Sequence, residues 1–434
     1  MQIQHSSVPQ ARGFSKDHKQ PNPFFGPPVR VLIDGKKGPN APLANLSSRV
    51  LRPVRHDLNE KVQTEVISTE ELCHHFMVQN QNLQNAPEVR KQPKRAKKCP
   101  PLQNSQYVIG SMDVQGLYPN CKISKSCDNI EKAFRMTNLS FENIDKEFSV
   151  KIVSIVTRGK HKDPEMNKFL MIPKTRTSLN SFIKRPSMNQ FHGPPEVSYE
   201  NLTRQDVNVL LGSLTSKCVQ TVRENHYFTV GGKIFRQSDG GPTGLDLTVE
   251  VAAIYMLLWD LAVLQKFKRM GIKIALYKRY VDDVVVFLKQ INPGWVFDNV
   301  SGKLIYNPDH EYSNMEADLR TMSILRDIVN HQDTDIQMTI DVPSLHSNRR
   351  LPVLDLEVFL IENQINFSFY KKPMSNPRVN LFRSAISNRV KRDTLIQDGY
   401  RILNNCSEKI SDAEKCEILS VCMNSLCISG YFAP

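Results

Sequence analysis

Two adjacent aspartates interrupt an apolar, β-prone part of the chain. Residues 274–278 precede them, and the run Val-Val-Val-Phe at 284–287 follows directly. This pattern predicts two short strands within 274–288, joined by a tight turn at 281–283. Carboxylates in the turn of a buried hairpin are costly, because like charges repel and are poorly solvated there. A divalent cation would remove that cost, so the apolar flanks favour a metal site over an ordinary exposed Asp-Asp turn.

A third aspartate, Asp113, stands near the end of another predicted strand, 107–114. Strand alternation places Asp113 and Ser111 on one face. Phosphoryl transfer to a 3′-hydroxyl uses two metal ions, whose ligands must come from separate segments, and Asp113 and Asp282 would supply them. Mg²⁺ is usually held by one or two carboxylates plus substrate phosphates. We therefore predict two Mg²⁺ ions, with Mn²⁺ as the alternative, held by catalytic residues Asp113, Asp282 and Asp283.

Three segments resemble the palm motifs of reverse transcriptases. Residues 113–119 (DVQGLYP) and 280–283 (YVDD) resemble motifs A and C, and 237–244 (QSDGGPTG) has the Q-x-x-G-x-x-x-G spacing of motif B. The resemblance implies a reverse transcriptase encoded by a retroelement, Penelope-like or related. The implied activity is that of a nucleotidyltransferase, an RNA-directed DNA polymerase that extends a primer with dNTPs.

Other segments resemble the same family. Residues 16–19 (KDHK) and 29–33 (VRVLI) resemble the K-x-H-K … R-P-I fingers signature, and 351–356 with 367–373 resembles the L-D-L … Y-R-K-P hairpin. In the family the first signature clamps the incoming triphosphate and the hairpin holds the primer terminus. The resemblance assigns nucleotide binding to Lys19, Arg30, Tyr118, Gln237 and Gly244, and the primer grip to Phe369, Tyr370 and Lys371.

The order of predicted elements indicates an α+β fold, with an antiparallel sheet that carries helices on one face. Helices are predicted at Thr69–Gln84, 202–223, 247–270, 316–330 and 385–430, and further strands at 336–340, 354–361 and 365–370.

With the resemblance, this order implies a right-hand polymerase with a partial helical thumb. The expected subdomains are an N-terminal fingers segment with a basic linker (1–104), a first palm segment (105–124), a fingers insertion (125–235), a second palm segment (236–375) and the partial thumb (376–434). The fingers signature lies near the start of the 434 residues and the thumb near their end. A fragment of a longer polyprotein would have this arrangement.

The charge balance favours a nucleic-acid partner. Lys and Arg number 57 against 44 for Asp and Glu, a formal net charge of +13, which is typical of proteins that bind many phosphates. We expect an RNA or DNA template-primer and dNTPs as partners. Residues 89–98 hold six basic residues in ten. They indicate a solvated linker, or alternatively a nuclear-import signal or phosphate-tracking loop.

The remaining composition indicates an intracellular protein, nuclear or cytoplasmic, with no membrane partner. None of the nine cysteines forms a CxxC pair, so reduced thiols are expected. The first 30 residues do not resemble a signal peptide. The most apolar run, 249–264, is shorter than a membrane span and is interpreted as a buried helix. The sequence leaves the oligomeric state undetermined.

Two other functions remain open from the sequence. An RNA-directed RNA polymerase shares a palm with paired aspartates, but an aromatic residue five positions after the motif A aspartate, here Tyr118, favours deoxynucleotides. A catalytically decayed retroelement protein that only binds nucleic acid is the second alternative. The intact set of Asp113, Asp282 and Asp283 argues against it.

Overall fold

The computed structural model describes residues 8–15, 29–33, 35, 38–85, 99–137, 204–242, 244–370 and 382–431. The chain divides into two compact units. The helical unit comprises Met1–Phe14, Arg30–Gln63 and Gly116–Asp260, and the sheet unit comprises Ser15–Val29, Thr64–Gln115 and Leu261–Pro434.

The described elements follow one another in this order: β1 (Ala11–Ser15), β2 (Val29–Ile33), α1 (Ala41–Val62), α2 (Thr69–Gln84), β3 (Gln103–Val114), α3 (Leu117–Asn120), α4 (Ile123–Met136), α5 (Arg204–Glu224), β4 (Tyr227–Val230), β5 (Lys233–Arg236), α6 (Asp246–Arg269), β6 (Ile274–Tyr280), β7 (Asp283–Ile291), β8 (Trp295–Asp298), β9 (Lys303–Tyr306), α7 (Ala317–Gln332), β10 (Met338–Asp341), β11 (Leu351–Val353), β12 (Leu356–Ile361), β13 (Gln364–Phe369), α8 (Asn388–Asn404) and α9 (Asp412–Ile428).

An antiparallel four-stranded sheet in the order β10-β3-β7-β6 forms the centre of the sheet unit. Helix α7 packs on one face, where a Cβ added at Gly110 would lie 2.5 Å from Met322 Cγ. On the other face, Ile109 and Phe287 share a core with Phe76 of α2 and Phe367 of β13. The mixed helix and antiparallel-sheet architecture confirms the predicted α+β class.

The prediction of helices on one face only is incomplete. The antiparallel sheet β11-β12-β13 and helix α2 cover part of the opposite face. The cause is in β7, where residues 284–288 are all buried. Successive strand residues point to opposite faces, so an unbroken apolar run requires cover on both.

The helical unit has its own apolar core. Leu51 of α1, Phe134 of α4, Val219 of α5 and Ile254 of α6 belong to one buried cluster. The antiparallel pair β4-β5 and most of the two-stranded sheet β1-β2 also belong to this unit.

Helix α6 contains the apolar run that the sequence predicts to be buried. By length and composition it is the one helix among the described residues that could cross a membrane, but 78% of its most apolar 18-residue window is buried inside the protein. Glu250 near its start accepts ion pairs from Arg52 and Arg55, each at 3.2 Å. A core helix of a globular protein can have the length and composition of a membrane span, and the burial of α6 is that of a core helix.

Candidate active site

Asp113 and Asp283 lie directly opposite each other on neighbouring strands. Asp113 is next to last in β3, Asp283 is the first residue of β7, and the antiparallel register pairs the two. Residues paired in this way share a face of the sheet, with Cα atoms about 4.5–5.5 Å apart. The fold therefore brings together carboxylates that are separated by 170 positions in the sequence.

Asp282 occupies the turn between β6 and β7. Val281 in the same turn has a φ of +56°, a conformation that β-branched residues rarely adopt. The Val114 amide donates a hydrogen bond to the Asp282 carbonyl at 3.2 Å, which ties the turn to the end of β3. Asp113 is exposed and Asp282 and Asp283 are half-buried, so the three aspartates lie where the buried sheet meets solvent.

Strand β10 supports the end of β3 from the other side. Thr339 pairs with Asp113 in the register, and its hydroxyl donates to the Asp113 carbonyl at 3.4 Å. The Gln115 amide donates to the Gln337 carbonyl at 2.9 Å. These bonds fix the backbone that carries Asp113.

A buried arginine that the sequence analysis missed holds the aspartate turn. Arg279 has no exposed surface, and its Nη1 donates to the Val281 carbonyl at 2.9 Å. Glu65, also buried, lies 3.8 Å from the same nitrogen. Backbone bonds join Arg279 to Thr64 and Val66 at 2.8 and 2.9 Å. A cation at an inward position of an apolar strand is the signal that could have revealed it.

The three aspartates would form only part of a metal's coordination shell. Within the described ranges, no group of three or more His, Cys, Asp or Glu side chains is arranged to hold an ion by itself. Mg²⁺ sites of phosphoryl-transfer enzymes are usually completed by substrate phosphates and water. Carboxylates in register at the exposed end of a sheet fit that kind of partial site.

In the helical unit, residues 237–242 of the predicted motif B form a glycine loop packed on the short helix α3. The Gly241 amide donates to the Tyr118 carbonyl at 2.9 Å. Gly240 has a φ of +72°, and a Cβ there would lie 2.6 Å from the Pro119 carbonyl oxygen. The loop therefore approaches the α3 backbone more closely than any side chain would permit. The Gln237 side-chain amide donates to the Asp239 carbonyl at 3.0 Å within the same loop.

Arg223 of α5 binds this loop through its guanidinium group. It is buried, which lowers the pKa of its guanidinium. Its Nε donates to the Gly240 carbonyl at 2.9 Å and its Nη1 to Ser126 Oγ at 2.7 Å, and Nη2 donates to the Cys121 carbonyl. One side chain thus connects α5, the start of α4 and the glycine loop.

Asp239 connects the loop to the start of α4. Its Oδ1 accepts the amides of Ile123 at 2.9 Å and Gly240 at 2.8 Å, and Lys122 lies 3.4 Å from its Oδ2. Burial alone would raise the pKa of Asp239, but the two amides and Lys122 favour the charged form, and its pKa lies below the usual value. The stabilisation is therefore present above the ordinary aspartate pKa and is lost as the pH falls through the lowered value.

We expect Gly240→Ala to destabilise the protein more than Gly232→Ala. Both glycines have positive φ, +72° and +79°, and L residues pay about 1–2 kcal/mol there. No described atom lies within 4 Å of a Cβ at Gly232, whereas at Gly240 the added carbon meets the Pro119 backbone, at a further cost of about 1–3 kcal/mol. Urea denaturation of both variants measures the difference. Equal losses would contradict the close approach of the loop to α3.

The remaining predicted site residues are placed as follows. In the sheet unit, Phe369 ends β13 with the Arg401 guanidinium 5.6 Å from its ring, and the Tyr370 amide donates to the Asp355 carbonyl at 2.7 Å. Gly244 lies half-buried after the glycine loop. The backbone of Arg30 belongs to β2, but its side chain, Lys19, Lys371 and the basic run 89–98 lie outside the described residues.

No protein-family model and no curated protein matches the sequence. Among solved structures, the telomerase of Candida albicans in complex with a TWJ fragment of telomeric RNA superposes with a TM-score of 0.52 and 10% identity, over 98% of this chain and 54% of that one. Telomerase from Candida tropicalis matches at 0.44 in its apo form (11% identity; 99% and 59% coverage) and at 0.41 in complex with a TWJ fragment of telomeric RNA (12%; 99% and 55%). The chain spans somewhat more than half the length of these telomerase chains.

The first of these likenesses defines the class of fold. The chain has a fold like that of the Candida albicans telomerase chain, over 98% of its own length. At 10% identity the likeness concerns the fold alone.

Proposed function

We propose that the chain is an RNA-directed DNA polymerase, a reverse transcriptase that extends a primer with dNTPs. The observation that carries the proposal is the register that pairs Asp113 with Asp283 beside the turn that holds Asp282. The likeness of fold to a reverse-transcriptase-related polymerase supports it. A retroelement origin, Penelope-like or related, rests on the resemblance of the sequence motifs.

In the proposed mechanism, Asp113, Asp282 and Asp283 would hold two divalent ions, Mg²⁺ or alternatively Mn²⁺. When bound, such ions activate an attacking hydroxyl and stabilise the leaving oxygen in phosphoryl transfer. The protein's own contribution is to present the carboxylates on a rigid sheet end. Arg279 holds the carbonyl of Val281, which restricts the turn that carries Asp282. Preorganised charges of this kind need no rearrangement during the reaction.

The proposed subdomains follow the motifs. The central sheet of β10, β3, β7 and β6 serves as the palm, and β11-β12-β13 provides the primer grip with Phe369, Tyr370 and Lys371. Helices α8 and α9 form the partial thumb, and most of the helical unit belongs to the fingers. Nucleotide binding is assigned to Lys19, Arg30, Tyr118, Gln237 and Gly244, as the resemblance of the sequence motifs implies.

Primer extension on matched RNA and DNA templates tests the function. We expect incorporation of dNTPs on an RNA template in the presence of Mg²⁺. Extension with rNTPs alone would indicate an RNA-directed RNA polymerase instead. Tight template binding without any extension, over a range of Mg²⁺ and Mn²⁺ concentrations, would indicate a decayed binding protein. The proposed location is intracellular, nuclear or cytoplasmic.

We expect Tyr118→Ala to raise ribonucleotide incorporation while dNTP use declines modestly. The ring follows Asp113 by five residues, and Tyr118 is half-buried in α3 with its carbonyl held by Gly241. A ring packed against the sugar C2′ leaves no room for a hydroxyl. Single-nucleotide extension with matched dNTP and rNTP measures the ratio, and Tyr118→Phe, which keeps the ring, should preserve it. If Tyr118→Ala lowers both activities in parallel along with stability, the residue only packs the fold.

A further inference from the structure

The hairpin β4–β5 in the helical unit presents aromatic and basic side chains to solvent. Tyr227 is 41% exposed, Phe235 45% and Ile234 64%, and Lys233 and Arg236 are also exposed. Large apolar side chains grouped on the surface usually mark an interaction site. We infer that this hairpin is a stacking surface for single-stranded nucleic acid, an inference that rests on the proposed polymerase function.

Each face of the hairpin carries an aromatic ring and a cation. The register pairs Tyr227 with Arg236, and Phe228 with Phe235. Paired residues share a face. The rings of Phe228 and Phe235 are stacked with centroids 5.9 Å apart, and Lys233 is on their face because it pairs with Val230. Aromatic rings beside cations are the chemistry that holds bases and phosphates of a single strand without regard to sequence.

Charge complementarity favours nucleic acid over an apolar protein partner. Residues 225–238 contain no Asp or Glu, and the whole chain carries a net charge of +13. A membrane surface would also attract cations, but the hairpin sets its rings and cations on both faces rather than on one apolar side. A polyanion with stackable rings uses both features.

The hairpin is hydrogen-bonded to the N-terminal segment and leads into the glycine loop. The Thr229 amide donates to the Pro9 carbonyl at 2.7 Å, and Gln10 forms a parallel bridge with Thr229. This N-terminal segment covers the outer edge of β4, so the faces are the available surface. At the base, the Gln237 amide donates to the His226 carbonyl at 2.9 Å. Gln237 begins the proposed motif B, so a strand on the hairpin would continue toward the proposed nucleotide site.

The test compares binding of fluorescein-labelled oligo(U) RNA and of a blunt RNA–DNA duplex to the full chain, by anisotropy without divalent metal. Tyr227→Val with Phe235→Val keeps β-propensity and removes the rings. We expect this double variant to bind oligo(U) about 10- to 100-fold more weakly, with duplex affinity nearly unchanged. Lys233→Gln with Arg236→Gln should reduce the slope of log affinity against log salt by about 0.7 per cation.

Matched controls come from another hairpin, β8–β9, in the sheet unit, whose strand β9 is largely exposed. Lys303 and Tyr306 there are also exposed, so Lys303→Gln and Tyr306→Val should leave oligo(U) binding unchanged. The charge variants change only exposed side chains and keep the test decisive if the ring variant fails to fold.

The inference is overturned if the hairpin variants bind oligo(U) as tightly as the control variants do. It is also overturned if the ring variant loses the same affinity for oligo(U) and for the duplex. A third contrary result is that the ring variant loses self-association while its affinity for RNA is unchanged. Primer extension by the wild-type chain is scored separately. An active wild type with unaffected hairpin variants rejects only the stacking surface, whereas a wild type that binds but does not extend rejects the polymerase.

Discussion

Asp113→Asn lowers primer extension by about three orders of magnitude or more, while affinity for the template-primer stays nearly the same. The substitution keeps the size of the side chain and removes one of the two negative charges of the Asp113–Asp283 pair. Stabilisation of transition-state charge by a bound metal is worth several kcal/mol, and each 1.36 kcal/mol is tenfold in rate. Single-turnover extension and anisotropy on the same preparation measure both quantities.

The matched control is Asp341→Asn. Asp341 pairs with Ser111 in the register, two residues further along the same face of the sheet, and lies 2.8 Å from His346. The Asp341→Asn substitution removes a carboxylate from the same surface and leaves the aspartate turn unchanged. If both variants lose activity equally, the general negative potential of the sheet end matters and the specific metal assignment fails. A parallel loss of template binding in Asp113→Asn would instead indicate a folding role.

The same assay ranks the two turn aspartates. The motif resemblance predicts that Asp282 is indispensable and that Asp283 contributes strongly. The register places Asp283, rather than Asp282, directly opposite Asp113. We expect both Asp282→Asn and Asp283→Asn to reduce extension, and the larger loss identifies which carboxylate shares an ion with Asp113.

Arg279→Met destabilises the protein by about 3–5 kcal/mol, because it breaks a buried ion pair by removing the cation that lies 3.8 Å from the Glu65 carboxylate. The nearby half-buried Lys278 offers a matched control on the same strand, and Lys278→Met should cost much less. Urea denaturation measures the free energy of unfolding. The double variant Arg279→Met with Glu65→Leu should recover most of the loss, since replacing a whole buried pair by apolar residues is often neutral.

A catalytic readout separates support of the fold from support of the turn. The double variant restores stability but still lacks the hydrogen bond to the Val281 carbonyl. We therefore expect it to need a higher Mg²⁺ concentration for half-maximal extension than the wild type. An unchanged Mg²⁺ dependence in a stable double variant would show that Arg279 only fills the core.

Local patterns were enough to predict helices and strands whose buried side chains recur with the period of that helix or strand. Helix α2 occupies the predicted bounds, Thr69–Gln84, with Ser68 accepting the Glu71 amide as its N-cap. The β6–β7 and β12–β13 hairpins also lie where alternation and turn residues predict them. Helix α1 was missed because Pro53 lies inside it, and an interior proline normally argues against a helix. The Gly231–Gly232 pair between two β-prone runs was an available signal for β4–β5.

By itself the sequence determined which side chains are available to the candidate site, because aspartates, glycines and the Tyr-Val-Asp-Asp turn are local features. Tertiary structure alone decided which of these groups meet. The register that sets Asp113 against Asp283 depends on how β3 pairs with β7, and a shift of one residue would turn Asp113 to the opposite face. The pairing of Glu65 with Arg279 joins positions far apart in the chain, and such a contact leaves no periodic trace in either segment. Because the pair is buried, breaking it costs free energy of unfolding, and that burial cannot be read from a sequence pattern.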